Sequence, residues 1–351
     1  MGDWFVRLPM YNLELPAEVT VGEVVLRPVG SYEDHRKRIA SVQHTETPFV
    51  HTADAVVQLG DLSGVPASPF EDAWDRFWHV HQALRFLQQR DFRVSEWSLH
   101  REPRCIDPPE RQGWHMAICN VPYNPKIQVA YSQWADAIQC AARLWQDDET
   151  DSRTGFRYAI ALQHASLDER LPVELRFLSQ WIALESLSQR WVAGPDAHVR
   201  IEHKVSSIDQ QFHPFVRDAL QPYVDQGMLN DEEADELARA VRKSVFSKAW
   251  NRTAGFLQAI GVGDVSGSWL RRCLCIRNGL AHGRRLSAIY AVWPDVADAP
   301  QDLSWRAKRL NDIVSRFIMS LMGYEPDSWN FEEGTVGWYR RRQNVLPDSV
   351  P

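Results

Sequence analysis

Arg277, Asn278 and His282 fall close together in Ile276-Arg277-Asn278-Gly279-Leu280-Ala281-His282-Gly283, a segment whose other positions are apolar or small. An arginine stays cationic at any accessible pH, and an imidazole titrates near ~6.5. Together they offer a phosphate a fixed positive charge and a group able to take or give a proton. The local charge favours the same ligand. No carboxylate lies between Asp264 and Asp295, whereas Arg271, Arg272, Arg277, Arg284 and Arg285 all do. In a chain of net charge −7 this gathers positive potential in one place, as an anion site requires. The structural alternative is that this segment packs against an acidic one, Asp231-Glu232-Glu233 with Asp235-Glu236.

These residues need a helix to position them. At ~100° per residue, Trp269, Leu270, Cys273, Leu274, Ile276, Leu280 and Ala281 spread over one apolar arc, with Arg277 near its middle. A guanidinium in such a place needs an acceptor, because an unpaired buried charge is strongly destabilising. A second helix offers one: Leu171, Leu175, Leu178, Ile182 and Glu185 share a seam, so the two stripes carry single charges of opposite sign. Glu185 and Arg277 are therefore expected to meet. His282 falls ~140° from Arg277 on an ideal helix, while Asn278 shares its face with Arg271 and Cys275. Two arrangements reconcile this divergence. Either the helix loosens at Gly279, or the same segment of a second subunit completes the site across a two-fold axis.

Composition bounds the setting. The 351 residues, 44% hydrophobic and 24% charged, describe a folded chain of roughly two domains rather than a disordered one. The N-terminus lacks the basic and apolar sections of a signal peptide, and no run approaches the ~18 apolar residues of a membrane span. No membrane association and a cytoplasmic location are expected. The five cysteines form no C-x-x-C pair, so neither a zinc ribbon nor a disulfide framework is indicated. His79 and His81 point to different helix faces, and no metal or other cofactor is expected. The fifteen tryptophans are read as packing groups, on the pattern of Trp181 and Trp191, before base-stacking platforms.

The texture changes near residue 130. Before it, short β-favouring runs at 19–29, 92–99, 114–121 and 127–131 alternate with Pro and Gly punctuation, around one helix at 71–89. After it, helical patterns follow at about 132–146, 153–166, 171–191, 197–226, 231–260, 267–282 and 303–323. The expected fold is an α+β N-terminal domain, residues 1–128, followed by an all-α helical bundle, residues 129–351, with an aromatic tail after Pro326. The glycine-rich stretch Gly261 to Gly267 joins two helices and lacks the strand and lysine of a phosphate loop. It reads as a C-cap followed by an N-cap at Ser266 or Ser268. The acidic run Asp147 to Asp151 reads as a solvated loop.

Arg277-Asn278 followed by His282, near the end of a helix in a helical region, resembles the R-N-x-x-x-H signature of the HEPN superfamily (higher eukaryotes and prokaryotes nucleotide-binding). The upstream text Phe177-Leu178-x-x-Trp181-x-Ala183-Leu184-Glu185-x-Leu187 and the closing Ala281-His282-Gly283 are similar to its Apea-like branch, in which a β-containing region precedes the helices. The resemblance covers residues 130–323 and implies a HEPN-like fold and metal-independent RNA cleavage to 2′,3′-cyclic phosphate and 5′-hydroxyl ends. It implies that His282 moves the proton, Arg277 holds the phosphate, Asn278 orients one of them and Glu185 supports Arg277. Arg271, Arg272, Arg284 and Arg285 would contact the RNA backbone. It further implies a homodimer acting as a toxin or antiviral effector, with an N-terminal domain that receives a trigger or partner protein. Two other readings stand beside it. Arg277 and His282 can serve structure alone, one satisfying Glu185 and the other capping the helix C-terminus. The chain can also be a non-catalytic HEPN-type module that binds RNA, nucleotide or protein.

Overall fold

The computed structural model describes residues 2–42, 50–62, 64–89, 93–94, 96–105, 107–114, 127, 129–168, 170–190, 214, 216–245, 248–262, 267–292, 301–331 and 335–342. It begins with an antiparallel sheet: β1 (Gly2–Tyr11), β2 (Val19–Val21), β3 (Val24–Pro28), β4 (His51–Leu62), β5 (Arg93–Val94), β6 (Glu96–His100) and β7 (Arg111–Trp114). The strand order is β2-β3-β4-β1-β6-β7, with β5 beside the far end of β1. Trp4, Val6, Leu8 and Met10 alternate along β1 and are fully buried, and Ala53, Ala55 and Val57 of β4 share their core. Pro9 is tolerated in this central strand for a local reason. β6 pairs with Phe5 to Arg7 and β5 with Met10 and Tyr11, so the missing N–H falls in the gap between them.

Two helices belong to the sheet region, α1 (Tyr32–Val42) and α2 (Pro69–Gln88). The second starts with proline and an acidic first turn and buries Phe77, Val80, Leu84 and Leu87 in the same core cluster as the sheet. Its C-cap, Gln89, adopts a left-handed backbone with φ 48°. Then follow α3 (Trp134–Gln146), α4 (Asp148–Thr154), α5 (Phe156–Ser166), α6 (Val173–Arg190), a helical stretch at 216–225 (α7), α8 (Asp231–Val245), α9 (Lys248–Ala259), α10 (Gly267–Ala281), α11 (Leu286–Val292) and α12 (Gln301–Leu321). The architecture is mixed α+β. A single apolar core runs across residue 128: Trp4, Leu84, Trp134, Phe177, Ile276 and Phe317 belong to one cluster.

Several expectations need correction. The region after residue 128 is not all-α, because the aromatic tail forms two small antiparallel pairs, β8 (Tyr324–Pro326) with β11 (Tyr339–Arg341) and β9 (Trp329–Asn330) with β10 (Thr335–Val336). Residues 127–131 form no strand among the described residues. Val129 makes a single bridge to Tyr339, and a 3-10 turn starts at Tyr131. The acidic run is no loop: Asp147 accepts from the Thr150 N–H at 2.9 Å and caps α4, which its neighbours begin. Hydrogen bonds from Thr150, first from its hydroxyl and then from its N–H, hold the Asp147 carboxyl below the usual range. Gly261, at φ 71°, ends α9 as expected, while residues 263–266, with Ser266, lie outside the described residues. So do Cys119, Trp191, most of the 114–121 run and the start of the 197–226 helix.

A closed assembly of polar side chains lies inside this core. The Gln89 Nε2 donates to Ser315 Oγ at 2.7 Å, and Asn311 Nδ2 donates to Gln89 Oε1 at 3.2 Å. Gln163 Nε2 reaches the same Ser315 Oγ at 2.7 Å, and Gln180 Nε2 reaches Asn311 Oδ1 at 3.0 Å and also Ser166 Oγ. All six side chains are buried. Amides and hydroxyls thus link the end of α2, α5, α6 and α12 through the core, with Gln180 Oε1 left without a partner.

Candidate active site on helix α10

Helix α10 buries Trp269, Leu270, Cys273 and Ile276, and turns Asn278 and His282 to solvent. It runs unbroken to Ala281. Gly283, at φ 72°, closes it: the Gly283 N–H bonds Leu280 O at 2.9 Å and the Arg284 N–H bonds Gly279 O at 3.0 Å, the paired bonds of a glycine-terminated helix. The loosening considered at Gly279 does not occur. That glycine serves packing, since a Cβ there would lie 2.5 Å from Ile289 Cδ1 of α11.

Arg277 and Glu185 meet as the opposed charges on their helices require. Arg277 Nη2 donates to Glu185 Oε2 at 2.8 Å, and Arg277 Nη1 donates to Asn278 Oδ1 at 3.0 Å. The side chains are 32% and 15% exposed, so the pair lies at the margin of the core instead of in the middle of an apolar arc. The seam assigned to α6 is corrected accordingly. Its core face is Phe177, Gln180, Trp181, Leu184 and Leu187, whereas Leu175 and Ile182 are 49% and 40% exposed. Glu185 therefore flanks a half-open apolar stripe.

The structure joins Arg277, Asn278 and Glu185, and leaves His282 apart. The His282 backbone N–H bonds Asn278 O at 3.1 Å, continuing the helix. No side-chain partner for its imidazole occurs among the described residues. Asn278 gives its side-chain oxygen to Arg277, and no bond from its side chain to the His282 imidazole occurs among the described residues. Arg271, Arg284 and Arg285 are exposed and Arg272 is half-buried. Three of the five acidic residues considered as an alternative partner are engaged elsewhere: Asp231 and Asp235 pair with Arg217, Asp235 also with Arg239, and Glu233 forms a reciprocal cap with Asn230 at the start of α8.

The fold buries two histidines, His81, weighed from the sequence only as a metal ligand, and His164, which sequence reasoning passed over. His81 of α2 stacks on Trp78 with ring centroids 5.9 Å apart, and burial pushes its pKa down to about 3. His164 of α5 is likewise pushed well below its ordinary value by burial, with Arg85 and His81 adding to the effect. Both are neutral at ordinary pH and serve packing. Among the described residues no three His, Cys, Asp or Glu side chains converge as metal ligands would, and no described helix is long and apolar enough to cross a membrane. No family model, curated protein or solved structure matches this chain.

Proposed function

We propose that this protein is a metal-independent endoribonuclease whose site is built around Arg277 and His282. The observation that carries the reading is a guanidinium held at 2.8 Å by Glu185, on a helix that also exposes His282 and in a segment of arginines without a carboxylate. In the proposed reaction the RNA 2′-oxygen attacks the adjacent phosphorus. The new O2′–P bond forms as the P–O5′ bond breaks, leaving a 2′,3′-cyclic phosphate and a 5′-hydroxyl. His282 accepts the 2′-hydroxyl proton or delivers one to the departing oxygen. Arg277 gathers the non-bridging oxygens as their charge grows. Exposed Arg271, Arg284 and Arg285, with Arg272, draw in the backbone.

A homodimer is part of this reading. On the unbroken helix Arg277 and His282 diverge by ~140°. A second copy packed against the half-exposed Leu175 and Ile182 stripe would bring one chain's histidine toward the other's arginine. The sheet region would then receive a trigger or partner protein, as in a cytoplasmic toxin or antiviral effector. One observation favours a second reading, a non-catalytic HEPN-type module binding RNA, nucleotide or protein: Asn278 turns to Arg277 and leaves His282 unsupported. Incubating the protein with mixed RNA in EDTA separates the two. The nuclease yields new ends that carry a cyclic phosphate; RNA binding without cleavage supports the module.

A further inference from the structure

Resting on the assignment of Arg277 as the phosphate-holding group, we infer that Glu185 is an internal competitor of the phosphate, an anion built into α6 that occupies Arg277 until a polyanionic chain displaces it. A guanidinium grips a phosphate through a fork of N–H groups. Both terminal nitrogens of Arg277 are already used from within the chain, Nη2 by Glu185 Oε2 at 2.8 Å and Nη1 by Asn278 Oδ1 at 3.0 Å. The pair is electrically neutral, so an arriving phosphate meets a carboxylate at contact distance from the cation it must reach.

The neighbouring charges divide the labour. Arg271, Arg284 and Arg285 face solvent, where they attract a polyanion from a distance but hold no single phosphate. Arg277 lies deeper, at 32% exposure, and its attraction is spent on Glu185. Glu185 is poised to yield. Apart from its bond to Arg277, its side chain has no other hydrogen-bond partner among the described residues, so its displacement breaks that one bond and releases Nη2, while Nη1 stays on Asn278 Oδ1. A lone phosphate gains little from that exchange of one anion for another. A chain of phosphates held in addition by the exposed arginines gains enough to drive it. The device therefore selects RNA-like polyanions over small phosphates, and it makes Glu185 both the residue that positions Arg277 and the one that restrains it.

The test compares wild type with Glu185→Gln, which keeps volume and an oxygen acceptor but removes the charge, and with the double variant Glu185→Gln/Arg277→Ala. Two probes are titrated at fixed ionic strength: inorganic phosphate, and a fluorescent 2′-O-methyl RNA that lacks the attacking hydroxyl and cannot be cut. Glu185→Gln is expected to bind inorganic phosphate on the order of tenfold more tightly than wild type and the RNA by a smaller factor, with both gains abolished in the double variant. A folded Glu185→Gln with unchanged or weaker phosphate affinity overturns the inference, as does a gain that survives loss of Arg277. If Glu185→Gln does not fold, Glu185→Asp, which draws the carboxylate back from Arg277, carries the same comparison. Because neither probe is cleaved, tighter binding without RNA cleavage supports the inference and removes only the nuclease; cleavage without tighter binding does the reverse.

Discussion

Helix α6 takes part in two polar sites that differ in nearly every respect. Gln180 joins a neutral, buried network in which its Nε2 and the side chains of Gln89, Gln163, Ser166, Asn311 and Ser315 bond one another across three other elements. Five residues on, Glu185 makes one ion pair at the edge of the core with Arg277. The first site has no access to water and ties its members to one another, so it can only hold helices in place. The second is half-open, charged and loosely tethered, so it can exchange its internal partner for an external one. Buried polar groups fix a structure when they satisfy one another, whereas chemistry needs a group whose bond can be given up.

The comparison breaks first if the buried network proves dispensable. Asn311→Ala removes the acceptor for Gln180 and the donor to Gln89 and is expected to destabilise the fold by about 2–4 kcal/mol in chemical denaturation. A loss under about 0.5 kcal/mol would mean that the network does not hold the helices together. Acid sharpens the same contrast. His81, with its pKa held near 3, binds its proton far more readily once unfolded. Its contribution is present above the unfolded value of ~6.5 and falls by up to about 1.4 kcal/mol for each pH unit below it. Asp312, raised to about 6 by burial, works in the opposite direction between about 4 and 6, so the comparison must be with His81→Gln, whose stability should fall less steeply over pH 6.5 to 4.5. Equal slopes would contradict it.

Gly279→Ala places a methyl against Ile289 and should cost about 1–3 kcal/mol; a neutral result would restore the hinge that the unbroken helix argues against. At the candidate site the expected effects are smaller. Arg277→Ala should lower stability by about 1–2 kcal/mol, since Glu185 is left half-buried without its partner.

How much the sequence made legible depends on the strength of its periodicities. Helices such as α6 and α10 announce themselves through 3.6-residue spacing, and single opposite charges in their stripes identified Glu185 and Arg277 as partners before any geometry. The two longest strands stayed hidden. β1 carries Asp3 and Pro9, and β4 places Ala53 and Ala55, weak strand formers, in the core that the sheet shares with α2. The exposed stripe on α6 was misjudged because Leu175 and Ile182 look like core residues until it is known which face has a neighbour. Gly279 looked like a weakness because its role depends on Ile289, ten residues on and in another helix. The amide network was illegible for the same reason, as its members lie up to 226 residues apart.

The central claim is that cleavage resides in the exposed edge of α10 and stability in the interior. It is tested most directly by measuring RNA cleavage in EDTA and thermal unfolding on the same sample of His282→Ala. The imidazole is exposed, so unfolding should match wild type to within about 0.5 kcal/mol while cyclic-phosphate product is lost. A folded His282→Ala that still cleaves RNA at the wild-type rate would contradict the account.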